Sequence, residues 1–214
     1  MPQSDGRGSF HADVIVVGGG VAGLSAAVSA VELGARVILL ERAPKQERGG
    51  SSRWTDAWLR MSNEDEVYED FEEKLSWRAH GAIPPQFLID SIGDYDGWHK
   101  NLKAYPFTDP VLISTFAESA PPAVRWLGEH GVRFTYGSPM LLQKGLQRLT
   151  PSGGGEAVVE ALFASAEKLG IDIRYETTGR ALIENERGDM AGLKAWSADK
   201  GVHAITAPNV VLAS

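Results

Sequence analysis

The sequence predicts an α/β fold built on a central parallel sheet, entered through a βαβ unit and extended by further helices and a β-meander. Three observations carry this. Residues 13–17 are a short β-branched run, residues 21–33 are rich in Ala, Val and Leu, and residues 35–40 are a second apolar run. Strand, helix and strand in about 30 residues is the size of one βαβ motif. Glycines punctuate it where turns are needed, at Gly18, Gly19 and Gly20 before the helix and at Gly34 after it. Further on, residues 181–186 and 190–197 read as a hairpin turning at Arg187, Gly188 and Asp189.

The remaining elements follow in order. Residues 1–11 are polar and Gly-rich and are expected to form a disordered tail, leaving 12–214 as one domain. Residues 42–61 read as a loop containing Pro44 and the pair Gly49-Gly50. Ser62 offers an N-cap to a helix running to His80, whose acidic start (64–73) complements the helix dipole. Pro84-Pro85 restarts the chain before a helix at 87–102. A third helical stretch, 109–130, is expected to split or kink at Pro121-Pro122 and to close at Gly131. Residues 132–136 suit a strand. Residues 152–170 suit a helix that opens at a glycine run and closes at Gly170. Residues 171–176, 202–206 and 209–213 suit further strands.

Composition narrows the function. The chain has 214 residues, 43% of them hydrophobic, which suits a packed core. Its 21 basic and 28 acidic residues give a net charge of −7, which argues against nucleic acid as a partner. The absence of cysteine excludes disulfides, thiolate metal sites, a redox-active thiol pair and covalent cofactor attachment through sulfur within these residues. A cytoplasmic location is the expectation. The first ten residues lack the apolar core of a secretory signal, and no apolar run reaches the ~18 residues of a membrane span. His11, His80, His99, His130 and His203 show no metal-ligand spacing, so no metal site is expected. Hydrolase and kinase signatures are absent.

The pattern Gly18-x-Gly20-x-x-Gly23 lies where a phosphate-binding turn belongs, after a strand and opening a helix. Gly18 permits the tight turn. Gly20 leaves the backbone open to a pyrophosphate, and Gly23 lets helix and strand pack closely. The N–H groups of Val21 and Ala22, at the positive end of the helix, face the same demand. Glu41 follows 18 residues after Gly23, at the end of the second strand. A carboxylate there accepts hydrogen bonds from ribose hydroxyls and repels a 2′-phosphate. On this motif alone FAD and NAD are equally served.

A second segment separates them. Residues 13–41 followed by Arg48-Gly49-Gly50-Ser51-Ser52-Arg53 resemble the FAD-binding domain shared by fumarate reductase and succinate dehydrogenase flavoproteins, 3-ketosteroid dehydrogenases and tricarballylate dehydrogenases. The loop is most similar to that of the tricarballylate dehydrogenase-like members. The resemblance implies a Rossmann-like fold and FAD as cofactor. It implies that Gly49 and Gly50 allow close approach to FAD, that Ser51 and Ser52 hydrogen-bond it, and that Arg42 lies beside it. The likeness extends to residues 126–134, to Ser152-Gly153-Gly154-Gly155 as a loop approaching substrate or flavin, to residues 171–182, which place Gly179 at the adenine, and to residues 209–214, which place Ala213 at the flavin.

Relatives of this kind continue past the position of Ser214 into a capping domain that carries the proton-transfer groups, so the chain is expected to be the N-terminal portion of an enzyme and no catalytic residue is assigned to it. The implied chemistry is dehydrogenation or reduction of a carbon–carbon bond in a small carboxylate. An electron-transfer partner is implied too. Arg53 and Arg148 are conceivable carboxylate contacts, and Trp54 and Trp58 belong either to the core or to a cavity wall. Three alternatives stand beside this reading: a steroid dehydrogenase, a non-catalytic FAD-binding module, and an NAD-binding domain without flavin.

Overall fold

The computed structural model describes residues 11–59, 61, 64, 110–137 and 148–214. Residues 1–10 of the tail expected over 1–11, and the helices expected over 62–80 (apart from Glu64) and 87–102, lie outside the described residues. The elements in chain order are β1 (Val14–Val17), α1 (Val21–Glu32), β2 (Val37–Leu40), α2 (Pro110–Glu129), β3 (Phe134–Gly137), β4 (Arg148–Pro151), α3 (Gly154–Lys168), β5 (Asp172–Arg174), β6 (Thr177–Glu184), β7 (Met190–Ser197), β8 (Gly201–Thr206) and β9 (Asn209–Leu212). The chain forms two compact units. One comprises Met1–Asp56, His130–Val132 and Ser152–Ser214; the other comprises Ala57–Glu129 and Arg133–Pro151.

The first unit is built on a four-stranded sheet of order β5-β2-β1-β9. Every pairing in it is parallel, as the βαβ pattern predicts. All four residues of β2 are buried, the signature of a sheet covered on both faces. On one face Ile15, Ile38 and Leu40 share a core with Leu193, Ala195 and Ile205. Those last three belong to a second, antiparallel sheet of order β6-β7-β8. Strand alternation turns Val16 and Leu39 to the opposite face, and both are fully buried. Helices α1 and α3 are in contact with each other. Their apolar stripes are Leu24, Ala27 and Val28 on α1, and Val159, Leu162, Phe163 and Ala166 on α3. The three- and four-residue spacing puts each set on one helix face.

Both helices close as the glycines predict. Gly34 has φ +86°, and the N–H groups of Gly34 and Ala35 reach back to the carbonyls of Val31 and Ala30. Gly170 and Ile171 repeat the arrangement with Glu167 and Ala166. Such paired bonds satisfy carbonyls that the ending helix would otherwise leave open. His11, at the edge of the described residues, bonds to Thr206 through its backbone N–H and its ring.

The second unit holds α2, the antiparallel pair β3-β4 and a small core of Met61, Val124 and Leu149. Helix α2 runs through Pro121 and Pro122 without being split into two helices. Strand β4 was not expected from the sequence; it exists by pairing with β3, from Phe134↔Pro151 to Gly137↔Arg148.

Candidate functional site

A cavity of about 670 Å³ opens within the first unit, at the C-terminal ends of β1 and β2. Ligands in open α/β sheets bind at this end of the strands. The first wall is the turn after β1. Gly18 has φ +106°, and a Cβ there would come within 2.6 Å of the Ala213 carbonyl oxygen, so only glycine fits between the turn and the end of β9. Gly23 lies under the same turn: a Cβ on it would collide with the Gly18 carbonyl. Its role is packing α1 onto the sheet.

Glu41 forms the second wall. It is 6% exposed, and both carboxylate oxygens are engaged. Oε2 accepts the Gly19 N–H at 3.1 Å and Oε1 accepts the Ala43 N–H at 2.8 Å. Each oxygen of an ionised carboxylate has a further acceptor site. Glu41 therefore buttresses the glycine turn and still offers acceptors to ribose hydroxyls in the cavity it lines.

The third wall is residues 49–52. Gly49 has φ +105°, and a Cβ there would lie 2.5 Å from Val159 Cγ1. Its close approach is thus to α3. Gly50, with φ +54°, has nothing within 4 Å of a built Cβ and presents bare backbone. Ser52 Oγ accepts the N–H of Val21 at 3.2 Å. The N-cap of α1 is Gly20, which has no side chain to do this. Ser52 thus caps, from a distant loop, the helix whose positive end faces the cavity, and its hydroxyl hydrogen remains available to an anion.

The cavity brings together Gly18, Gly20, Glu41, Arg42, Gly49, Gly50, Ser51, Ser52, Gly179 and Ala213. Val21, Ala22 and Gly23 do not line it. Gly19, Thr177 and Thr178 line it and were not singled out from the sequence. The Gly-Gly-Gly run was the available signal for Gly19. For Thr177 and Thr178 it was their place just before Gly179 on β6.

Three expectations are corrected. Arg53 is no free carboxylate clamp, because its guanidinium pairs with Glu156 and, at 2.8 Å, with Glu160. Trp54 is 82% exposed and belongs neither to the core nor to the cavity wall. In the glycine run at 153–155, the Gly155 N–H is spent inside the protein rather than offered to a ligand. Gly155 donates to the Thr55 carbonyl at 2.7 Å, and a Cβ on Gly155 would strike the Ser52 carbonyl. These glycines let α3 dock under the loop. Arg148 lies in the second unit, and Trp58 there is half-buried.

Loop and helix are also joined by charge. Arg48 Nη2 meets Glu160 Oε2 at 2.6 Å, and Nη1 reaches Glu167 at 3.1 Å and the Tyr175 hydroxyl at 2.7 Å. The guanidinium lies 4.2 Å above the Phe163 ring. Burial alone would pull the Arg48 pKa down, but bonds to Glu160, Tyr175 and Glu167 outweigh it and raise it. Glu160 is held below its ordinary 4.5, chiefly by its hydrogen bond from Arg48 and against the opposing effect of burial.

The residues fit a dinucleotide. The wall of glycine backbone, the capped helix start and the carboxylate with spare acceptors supply what pyrophosphate and ribose require. The size of the cavity lies in the range of cofactor sites. Residues 13–214 match the family described as "FAD binding domain". The chain belongs to that family of flavoprotein domains, and the cofactor is FAD. Over 212 residues it is 29% identical to a fumarate reductase (cytochrome) of Shewanella frigidimarina, covering 94% of this chain and 33% of that relative. Among solved structures it is similar to the open conformation of a flavocytochrome c3 fumarate reductase. There the TM-score is 0.66 and the identity 25%, over 95% of this chain and 33% of the other. A 3-ketosteroid-Δ4-(5α)-dehydrogenase from Rhodococcus jostii RHA1 shares the fold with a TM-score of 0.66 at 22% identity, over 99% of this chain and 48% of the other. The chain thus spans about a third of the length of the curated relative it matches.

Among the described residues no helix is long and apolar enough to cross a membrane, and no cluster of His, Asp and Glu is arranged to hold a metal ion.

Proposed function

We propose that this chain is the FAD-binding portion of an oxidoreductase that reduces or dehydrogenates a carbon–carbon bond of a small di- or tricarboxylate, such as fumarate, succinate or tricarballylate. The observation that carries the reading is one cavity lined by both glycine-rich segments, by Glu41 and by Gly179. Bound FAD supplies hydride chemistry. The chain's own residues bind and orient it. Glu41 takes the ribose, the backbone at Gly18 and Gly20 and the hydroxyl of Ser52 take the pyrophosphate, Gly179 borders the adenine, and Gly49 to Ser51 and Ala213 border the flavin. Residues 12–214 act together as the cofactor domain, the substrate approaches from a further domain, and electrons come from a separate redox partner. The compartment of this reading is the cytoplasm.

A steroid-dehydrogenase reading has the fold likeness in its favour. A non-catalytic flavin-binding module is the third possibility. Anaerobic reduction of the FAD-loaded protein extended through its substrate-binding domain, followed by addition of fumarate or of a steroid enone, separates them. Reoxidation by fumarate is the expected result. Reoxidation by the steroid alone would replace the carboxylate reading, and a bound flavin inert to both would favour the module.

A further inference from the structure

We infer that Arg48 is a positioning residue for the cofactor loop: it holds residues 49–52 against α3 so that Ser52 Oγ meets the first N–H of α1. The inference rests on the FAD reading above and concerns how that site is shaped.

The argument starts from a missing cap. An α-helix leaves its first N–H groups without partners, and Gly20 has no side chain to supply one. Ser52 supplies it across 31 residues of sequence. Ser52 sits in a short 3₁₀ turn (Gly50–Trp54) that no β-ladder holds in place. Something else must fix its distance from Val21.

Arg48 is the residue placed to do so. Its side chain is 9% exposed and does not line the cavity. Its guanidinium is spent on α3 and the segment after it: two bonds to Glu160, one to Glu167, one to the Tyr175 hydroxyl and a stack on Phe163. Its carbonyl accepts from Arg53 Nη1 at 3.4 Å, and Arg53 returns to Glu160. Immediately after Arg48, Gly49 lies against Val159. An apolar side chain on Phe163 would fill the same space without burying a charge. What the guanidinium adds is direction, because its planar fork fixes several acceptors at once. The neighbouring Lys45–Glu167 pair is exposed at both ends, 57% and 44%, and such pairs constrain little.

The test uses hydrogen exchange and FAD binding on the full chain. In Arg48→Met, which keeps an apolar contact for Phe163, the Val21 amide is expected to exchange about tenfold faster, while the Ala27 and Val28 amides of α1 stay unchanged. Lys45→Met leaves Val21 unaffected. The FAD dissociation constant rises about tenfold in Arg48→Met, and adding Ser52→Ala to it brings no further loss, the sign of one shared interaction. Should Arg48→Met fail to fold, Arg48→Lys keeps the charge and loses the fork, and its Val21 exchange should fall between wild type and the tenfold change. Unaltered Val21 exchange, acceleration spread evenly along α1, or additive losses with Ser52→Ala would overturn the inference. Failure of the wild-type chain to bind FAD would sink the cofactor reading instead, and the Val21 readout, which needs no ligand, would still decide this one.

Discussion

At the scale of residues, the site depends on a few atoms with two duties each. Glu41 orders the glycine turn through Gly19 and Ala43 while lining the cavity. Glu41→Gln puts an amide N–H₂ against one of those N–H donors, leaving a buried donor without a partner. FAD affinity is expected to fall at least about tenfold, which a fluorescence titration would measure; affinity equal to wild type would remove Glu41 from the site. Gly49 and Gly50 both have positive φ but differ in surroundings. Gly49→Ala adds a collision with Val159 to backbone strain and should lower stability by about 3 kcal/mol. Gly50→Ala carries only the strain, about 1 kcal/mol. Equal denaturation midpoints for the two variants would contradict the docking of Gly49 on α3. The glycine turn and Glu41 were legible in the sequence because one short βαβ unit contains them in register. Ser52 as the cap of α1 was not. Its partner lies 31 residues away, and only the folded loop brings them together.

At the scale of elements, α3 carries an acidic face, Glu156, Glu160 and Glu167, against the basic loop residues Lys45, Arg48 and Arg53. The hydrogen bond from Arg48 lowers the Glu160 pKa, and that from Lys45 lowers the Glu167 pKa, in each case against the opposing effect of burial. Both folded-state values lie below the ordinary 4.5. Their contribution to stability is therefore complete above pH 4.5 and is lost as pH falls through the lower folded-state values. Glu160→Gln should melt below wild type at neutral pH, with the gap closing as pH drops under 4.5. A gap that stays constant with pH would show that the Arg48–Glu160 pair is not responsible. The ends of α1 and α3 were readable from Gly34 and Gly170. Strand β4 was not, because Arg-Leu-Thr-Pro has no strand signal until β3 pairs with it. Arg53 was a conceivable carboxylate contact in sequence, since nothing local shows that it is matched by glutamates about a hundred residues on.

At the scale of the whole molecule, the parallel order β5-β2-β1-β9 opens the cavity at the strand ends, and the β6-β7-β8 sheet closes the other face of the core. The parallel sheet followed from the βαβ pattern. The shared core of the two sheets could not be read locally, because Leu193, Ala195 and Ile205 meet Ile15 and Ile38 only in three dimensions. The family match covers residues 13–214, and the proposed place for FAD is the cavity between Glu41 and the loop at 49–52. The most direct measurement is the visible absorbance of the purified chain after incubation with FAD and removal of free cofactor, with NAD run in parallel. A retained flavin spectrum, lost in Glu41→Gln, is the expected result. A chain that keeps no flavin and binds NAD instead would contradict the claim.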